Sequence, residues 1–140
     1  MKLIEIFNTV DKIQWVTKKE DEWVGKFEID DVEYRVFIEK IVFHYNGTVD
    51  KQWNIRFEAN NYVDLNNLGN EFKVFSIVVD AIKEFLKQEK TNFLNFTAKE
   101  YSRIKLYKRM IKKLAPTIGF KLSKSSNANN GFFRLIREES

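Results

Sequence analysis

Residues 71–97, EFKVFSIVVDAIKEFLKQEKTNFLNFT, change from a helical pattern to a strand pattern within one short segment. The first part repeats apolar side chains at intervals of three and four residues, which predicts a helix that buries one face; they are Phe72, Phe75, Val78, Val79, Ile82, Phe85 and Leu86. Asn70 can cap this helix, and the carboxylate of Glu71 suits the positive end of its dipole. Asn92–Thr97 is short and aromatic, and it predicts a strand directly after the helix.

The sequence before residue 60 is rich in the aromatic and β-branched side chains that favour strands. It predicts four strands, namely Ile13–Thr17, Glu22–Ile29, Val32–Phe43 and Gln52–Ala59. Asp30-Asp31 and Asn46-Gly47 have the composition of tight hairpin turns. Strands joined by tight turns pair with their sequence neighbours, so we expect an antiparallel meander.

The C-terminal third predicts a second helix and two closing strands. The helix runs from Lys99 to Leu114, and Pro116 is expected to end it, because the residue before a proline resists helical geometry. Its inward face is formed by Ile104, Tyr107, Met110, Ile111 and Leu114. The closing strands are Phe120–Ser123 and Phe132–Arg137. The sum is one α+β domain over residues 1–140, with an antiparallel or mixed sheet of six to seven strands flanked by two main helices.

Composition excludes several classes of site. The chain has no cysteine, which rules out disulfides, iron–sulfur clusters, thiolate zinc sites and cysteine nucleophiles. His44 is the one histidine, so motifs that need two are absent, and the acidic residues lack metal-ligand spacing. We therefore expect no metal site. No apolar run approaches the roughly 18 residues that span a bilayer. We expect a cytoplasmic protein without a membrane partner.

Charge is distributed unevenly along the chain. Residues 99–140 carry 11 basic and 3 acidic side chains, whereas residues 1–98 carry 13 basic and 17 acidic ones. Helical spacing places five cations on the outward face of the second helix: Lys105, Lys108, Arg109, Lys112 and Lys113. Lys99 and Arg103 extend this basic stretch, 99–113. It is either an ordinary solvated face or a surface for an anionic partner, meaning nucleic acid or an acidic protein.

The predicted order of elements, together with two local motifs, resembles the GNAT family of N-acetyltransferases. SRIKLYKRM (102–110), followed by Ile118-Gly119-Phe120, is similar to the late helix of that family. LGNEFKVF (68–75) stands where the family has its pyrophosphate loop, between the fourth strand and the main helix. The resemblance implies a GNAT-like fold.

The resemblance also implies a cofactor site and catalytic residues. Acetyl-CoA would lie between the fourth and fifth strands, with its pyrophosphate on the backbone amides of Leu68, Gly69, Asn70 and Glu71. Tyr107 would be the general acid that protonates the departing thiolate. Glu58, or a bound water, would be the base for the acceptor amine. Tyr107 also lies within the apolar stripe of its helix, where a core tyrosine with its hydroxyl bonded to the backbone is the alternative interpretation.

The loop differs from the family pattern, which is Gln or Arg, two residues, Gly, one residue, then Gly or Ala. Asn66, Gly69 and Glu71 occupy those positions, and the Glu71 carboxylate would repel a pyrophosphate. GN-x-x-x-VF-x-x-V (69–78) and SR-x-KLY (102–107) also resemble a group of small uncharacterised bacteriophage proteins.

Three functions follow from these resemblances and from the charge pattern. The expectation is an accessory protein of the phage type, in the host cytoplasm, that binds another protein through a degenerate acetyltransferase scaffold. An active acetyl-CoA-dependent N-acetyltransferase is the alternative. A nucleic-acid-binding accessory protein that uses the basic helix is the second alternative.

Overall fold

The computed structural model describes residues 12–59, 71–98, 104–124, 126 and 130–138. It contains strands β1 to β7 and helices α1 and α2. The strands are Gln14–Lys18, Glu22–Ile29, Val32–Tyr45, Thr48–Ala59, Phe93–Thr97, Phe120–Leu122 and Phe132–Arg137; the helices are Glu71–Gln88 and Ile104–Ile118.

The strands form one mixed sheet of seven strands in the order β1-β2-β3-β4-β5-β7-β6. β4 and β5 are parallel, and the other neighbours are antiparallel. Both predicted hairpin turns are present, with positive φ at Asp30 (50°), Asp31 (64°), Asn46 (48°) and Gly47 (79°). The predicted α+β fold, with a mixed sheet of six to seven strands and two main helices, is therefore confirmed, and the sheet has seven strands.

Both helices pack on the same face of the sheet. Phe85 of α1 contacts Trp23 and Trp53 edge to face, with ring centroids 5.2 and 4.7 Å apart. Tyr107 of α2 stacks on Phe57. Trp53 and Phe57 lie an even number of positions apart in β4, so their side chains point to the same side. We call the opposite side of the sheet the open face, because none of the described helices covers it.

The buried stripe of α1 differs slightly from the predicted one. Val74, Ile77 and Ala81 are buried, whereas Phe75, Val79 and Leu86 are only partly buried. The helix is thus rotated by a fraction of a turn from the orientation that the largest side chains predict. Within the described residues, neither helix is both long and apolar enough to span a membrane.

Three predicted boundaries are wrong by two residues or more, and the limits of β1, β5 and β6 differ from the prediction by one residue. β3 and β4 extend to Tyr45 and Thr48, past the predicted limits at Phe43 and Gln52, because the two-residue turn lets them pair up to its flanks. Pro116 does not end the second helix, which continues to Ile118. A proline in the last turn removes one hydrogen bond near an end that frays in any case.

Local contacts support this last turn beyond the proline. The Thr117 hydroxyl donates to the Lys113 carbonyl at 3.0 Å, and Gly119, with φ at 78°, ends the helix in the left-handed conformation. The predicted start at Lys99 falls outside the described residues.

Candidate functional site

The pairing between β4 and β5 stops before either strand ends. Their parallel pairing ends at Ile55 and Phe96, although β4 continues to Ala59. β5 instead stays with β7, since Thr97 pairs with Phe132 and the Ala98 amide donates to the Gly131 carbonyl at 2.8 Å. Residues 56–59 of β4 and residues 97–98 at the end of β5 are therefore not paired with each other, and we call this divergence of the two strands the splay.

The side chain of Tyr107 extends from α2 to the edge of β4 at the start of the splay. Its hydroxyl donates to the Phe57 carbonyl at 2.9 Å and accepts from the Phe57 amide at 3.2 Å. Its ring stacks on the Phe57 ring, with centroids 4.7 Å apart and planes 4° from parallel. Only 2% of Tyr107 is exposed. A side chain from α2 therefore satisfies buried backbone groups that a neighbouring strand would otherwise pair.

This geometry determines what the phenol can do. A general acid must come within hydrogen-bond reach of the group that it protonates. The Tyr107 hydroxyl directs its proton at a backbone carbonyl, in a position almost without solvent access. Catalysis by Tyr107 would first require both bonds to Phe57 to break.

Glu58 follows Phe57 in β4, and its side chain points to the open face because successive side chains of a strand alternate. It is exposed and accepts a hydrogen bond from the Arg56 guanidinium. Arg56 also pairs with Glu39 at 3.2 Å, and it lies 3.9 Å from the centroid of the Phe37 ring. Glu58 and Tyr107 thus lie on opposite faces of the sheet, and the structure does not bring them together.

The predicted pyrophosphate loop lies largely outside the described residues. This applies to Leu68, Gly69 and Asn70, whereas Glu71 is the first residue of α1. Because β4 and β5 are parallel, the helix that connects them runs back along the sheet. The N-terminus of α1 and the splay are therefore at the same end of the sheet.

The five predicted cations all lie on the solvent side of α2. Each of Lys105, Lys108, Arg109, Lys112 and Lys113 is exposed, whereas Tyr107, Met110, Ile111 and Leu114 on the opposite side are buried. No acidic residue occurs anywhere in this helix. We call these five side chains the basic face. Lys99 and Arg103, predicted to extend it, fall outside the described residues.

A polar network on the open face was not predicted from the sequence. The buried Asn95 amide donates to Gln52 Oε1 at 2.7 Å, and Arg134 donates to Asn95 Oδ1 at 3.0 Å and to Gln52 Oε1 at 2.8 Å. Gln52 in turn donates to Asp50 at 2.8 Å. One signal in the sequence could have indicated this network: Asn95 is a polar residue within the otherwise apolar run 93–96, where a buried amide needs hydrogen-bond partners. Among the described residues, no group of three or more acidic or histidine side chains is arranged to hold a metal ion.

Comparison with known proteins gives little. No protein-family model matches the chain, and no curated protein matches its sequence. One solved structure, described as the crystal structure of the KacTA–DNA complex, aligns over 84% of this chain and 69% of that chain, with 10% identity and a TM-score of 0.38. A TM-score of 0.38 does not establish a shared fold.

Proposed function

We propose that this chain is a small binding protein on a scaffold similar to that of the N-acetyltransferases, and that it contacts an acidic partner protein through the basic face. The observation that carries the proposal is the exposure of five cations along one side of α2, in a helix without a single acidic residue. Such a one-sided positive surface attracts anionic partners and accelerates their association. Lys105, Lys108 and Lys112 form no ion pair with any described carboxylate.

The sheet supports the likeness to the acetyltransferases. A meander leads into a parallel pair of strands that separate, the helix between them begins at the separated end, and a tyrosine from the next helix lies at the start of the splay. Two features favour binding over acetyl transfer. The Tyr107 hydroxyl is occupied by the backbone of Phe57, and Glu71 adds a negative charge where a pyrophosphate would bind.

The resemblance to small bacteriophage proteins extends the proposal. The acidic partner would then be a host protein, encountered in the cytoplasm of the infected cell.

The proposal is tested by charge reversal on the basic face. The variant carries Lys108→Glu, Arg109→Glu, Lys112→Glu and Lys113→Glu. A matched control carries Lys19→Glu, Lys83→Glu, Lys87→Glu and Lys90→Glu, all at exposed positions away from α2 and with the same change in net charge. The probe is polyglutamate, which stands in for an acidic protein surface, and binding is measured by fluorescence anisotropy.

We expect the first variant to lose at least about 10-fold in affinity, which corresponds to about 1.4 kcal/mol, and the control to stay within about 3-fold of the native protein. Equal losses in both variants would mean that net charge, rather than the basic face, governs binding, and the proposal would then be wrong.

Nucleic acid is the second candidate partner, because regularly spaced cations on a helix can also contact a phosphate backbone. Mixed-sequence DNA and RNA of equal length are the additional probes. Tighter binding to either of them than to polyglutamate at matched ionic strength would favour nucleic acid over an acidic protein.

A further inference from the structure

The hairpin of β3 and β4 projects beyond the rest of the sheet. β2 pairs with β3 only as far as Glu39, and the pairing of β5 with β4 starts at Trp53. Between these limits, residues 41–50 form a two-stranded arm with no other described strand beside it, and every one of the ten residues is exposed. We call this segment the arm.

The surface of the arm is unusually apolar. Ile41, Val42, Phe43, Tyr45 and Val49 are 37 to 73% exposed, and they account for five of the eight large hydrophobic side chains that are exposed among the described residues. A two-stranded ribbon with no helix or third strand against it has little stability of its own. A concentration of exposed apolar side chains marks an interaction surface.

The arm also differs from the two outer edges of the sheet. Edge strands are normally protected from pairing with other chains by charges, irregularities or shortness. β6 has only three residues, including Lys121, and β1 has an irregular register between Trp15 and Thr17 and ends at Lys18. The outer edge of the arm, residues 41–45 (IVFHY), has no Lys, Arg, Asp, Glu or Pro, and its register with β4 is continuous.

The turn determines which backbone groups this edge presents. In a hairpin with a two-residue turn, the flanking residues form a hydrogen-bonded pair, here Tyr45 and Thr48. Hydrogen-bonded and non-hydrogen-bonded pairs then alternate along the ladder. Val42 and His44 therefore direct their amide and carbonyl groups away from β4, toward the outer edge.

We propose that residues 41–45 pair antiparallel with the same residues of a second copy of this chain. A two-fold axis through Phe43 places each Phe43 opposite its counterpart, Ile41 opposite Tyr45, and Val42 opposite His44. Each of these pairs lies on one face, because the two members are separated by an even number of positions. The pairs combine aliphatic with aromatic side chains or stack aromatic ones, which are favourable cross-strand combinations.

Charge favours a second copy as the occupant. The paired segment contains no Lys, Arg, Asp or Glu, so two identical edges meet without like charges opposite one another. The positive charge of the chain is concentrated on α2, which packs against Phe57 and β6. The basic face is thus not part of the proposed contact.

The pairing between the two copies is limited to residues 41–45, because β2 already occupies the same edge of β3 up to the pair of Glu22 with Glu39. A contact of this length is a weak interface, so we expect a concentration-dependent dimer with a dissociation constant on the order of 10 μM.

Sedimentation velocity over about 5–300 μM tests the proposal. The native chain should shift from 16.7 kDa toward twice that mass as the concentration rises. Phe43→Lys should remain monomeric, because it places two ammonium groups opposite each other at the two-fold axis. Val49→Lys is the matched control, with the same charge on the same arm but on the other strand, and it should dimerise like the native chain. A native protein that stays monomeric throughout, or a Phe43→Lys variant that still dimerises, would overturn the proposal.

A covalent trap tests the register itself. The native chain has no cysteine, so an introduced thiol can pair only with its counterpart. Phe43 lies in a non-hydrogen-bonded pair across the two-fold axis, where the Cα atoms are about 4.5 Å apart, within the range that a disulfide spans. Under mild oxidation, Phe43→Cys should form a covalent dimer, and Val49→Cys should not. Equal crosslinking of the two variants would exclude this register.

Discussion

The hydroxyl of Tyr107 bridges the amide and the carbonyl of Phe57 where β4 has lost β5 as its neighbour. In a continuous sheet, a strand would satisfy these two backbone groups. Here a helix supplies one side chain that accepts from the amide, donates to the carbonyl and covers the Phe57 ring. Tyr107 thus closes the splay at its base, and its hydroxyl is engaged by the backbone of β4 rather than directed into the opening.

Removing the Tyr107 hydroxyl should therefore destabilise the fold. Tyr107→Phe keeps the stacked ring but leaves a buried amide and carbonyl without their partner, which should cost about 1–3 kcal/mol. Tyr45→Phe, at a side chain that is 73% exposed, is the control and should change stability by less than about 0.5 kcal/mol. Urea denaturation measures both. An unchanged free energy of unfolding in Tyr107→Phe would mean that these bonds do not hold the splay closed.

Gly131 should be far less tolerant of a side chain than Gly119. Both have positive φ, at 74° and 78°, so alanine at either position should cost about 1–2 kcal/mol in backbone strain. A Cβ at Gly131 would also lie 2.4 Å from the Ala98 carbonyl oxygen, whereas a Cβ at Gly119 meets nothing within 4 Å among the described atoms. We expect Gly131→Ala to be the more destabilising change by at least about 1 kcal/mol in denaturant titrations. Equal losses would show that β5 and β7 move apart easily next to the splay.

The polar network on the open face should also be sensitive to truncation. Asn95→Ala removes the hydrogen bonds that Asn95 makes with Gln52 and Arg134. It should cost about 2 kcal/mol, because the partly buried Arg134 Nε loses its acceptor, although Gln52 still accepts from Arg134 and donates to Asp50. Asn92→Ala, at an exposed position just before the same strand, is the control and should be nearly neutral. Thermal unfolding of the two variants provides the comparison. A neutral Asn95→Ala would indicate that water replaces the amide.

Binding to the basic face should depend strongly on salt. Exposed cations act through charges that are screened over about 10 Å at 0.1 M ionic strength, and over shorter distances as salt increases. Polyglutamate should therefore bind at least about 10-fold more weakly at 0.3 M NaCl than at 0.05 M, as measured by anisotropy. Binding that is insensitive to salt would mean that the exposed cations of the basic face do not govern it.

Local patterns accounted for most of the fold. The alternation in 22–29 and 32–39, the two tight turns, and the helical spacing of 71–88 are properties of contiguous residues. The strands, turns and helix that they predict are all present, although the buried stripe of the helix is rotated from the predicted one. The largest boundary errors, at the arm and at Pro116, occurred where strand pairing and helix-end contacts extended an element past its local signal.

The features that bear on function depend on pairing between distant segments. Tyr107 and Phe57 are 50 residues apart in the sequence. The backbone groups of Phe57 need the Tyr107 hydroxyl only because the pairing of β4 with β5 ends at Ile55. The same applies to Gln52, Asn95 and Arg134, which come from three separate strands. The basic face was predictable because a single helix carries it. The separation of Glu58 from Tyr107 was not predictable, because it depends on the face of the sheet against which α2 packs.

Acetyl-CoA binding is the most direct test of the central claim, that the chain is a binding protein whose splay is closed by Tyr107. Thermal unfolding is measured with and without millimolar acetyl-CoA, with ATP as the control for nonspecific anion binding to the basic face. A ligand at about 100 times its dissociation constant would add roughly 2.7 kcal/mol to the free energy of unfolding and raise the midpoint by several degrees. We predict that acetyl-CoA produces no shift beyond that of ATP. A shift of several degrees with acetyl-CoA alone would contradict the account, because it would show an open cofactor site, and it would make an active acetyltransferase the leading alternative.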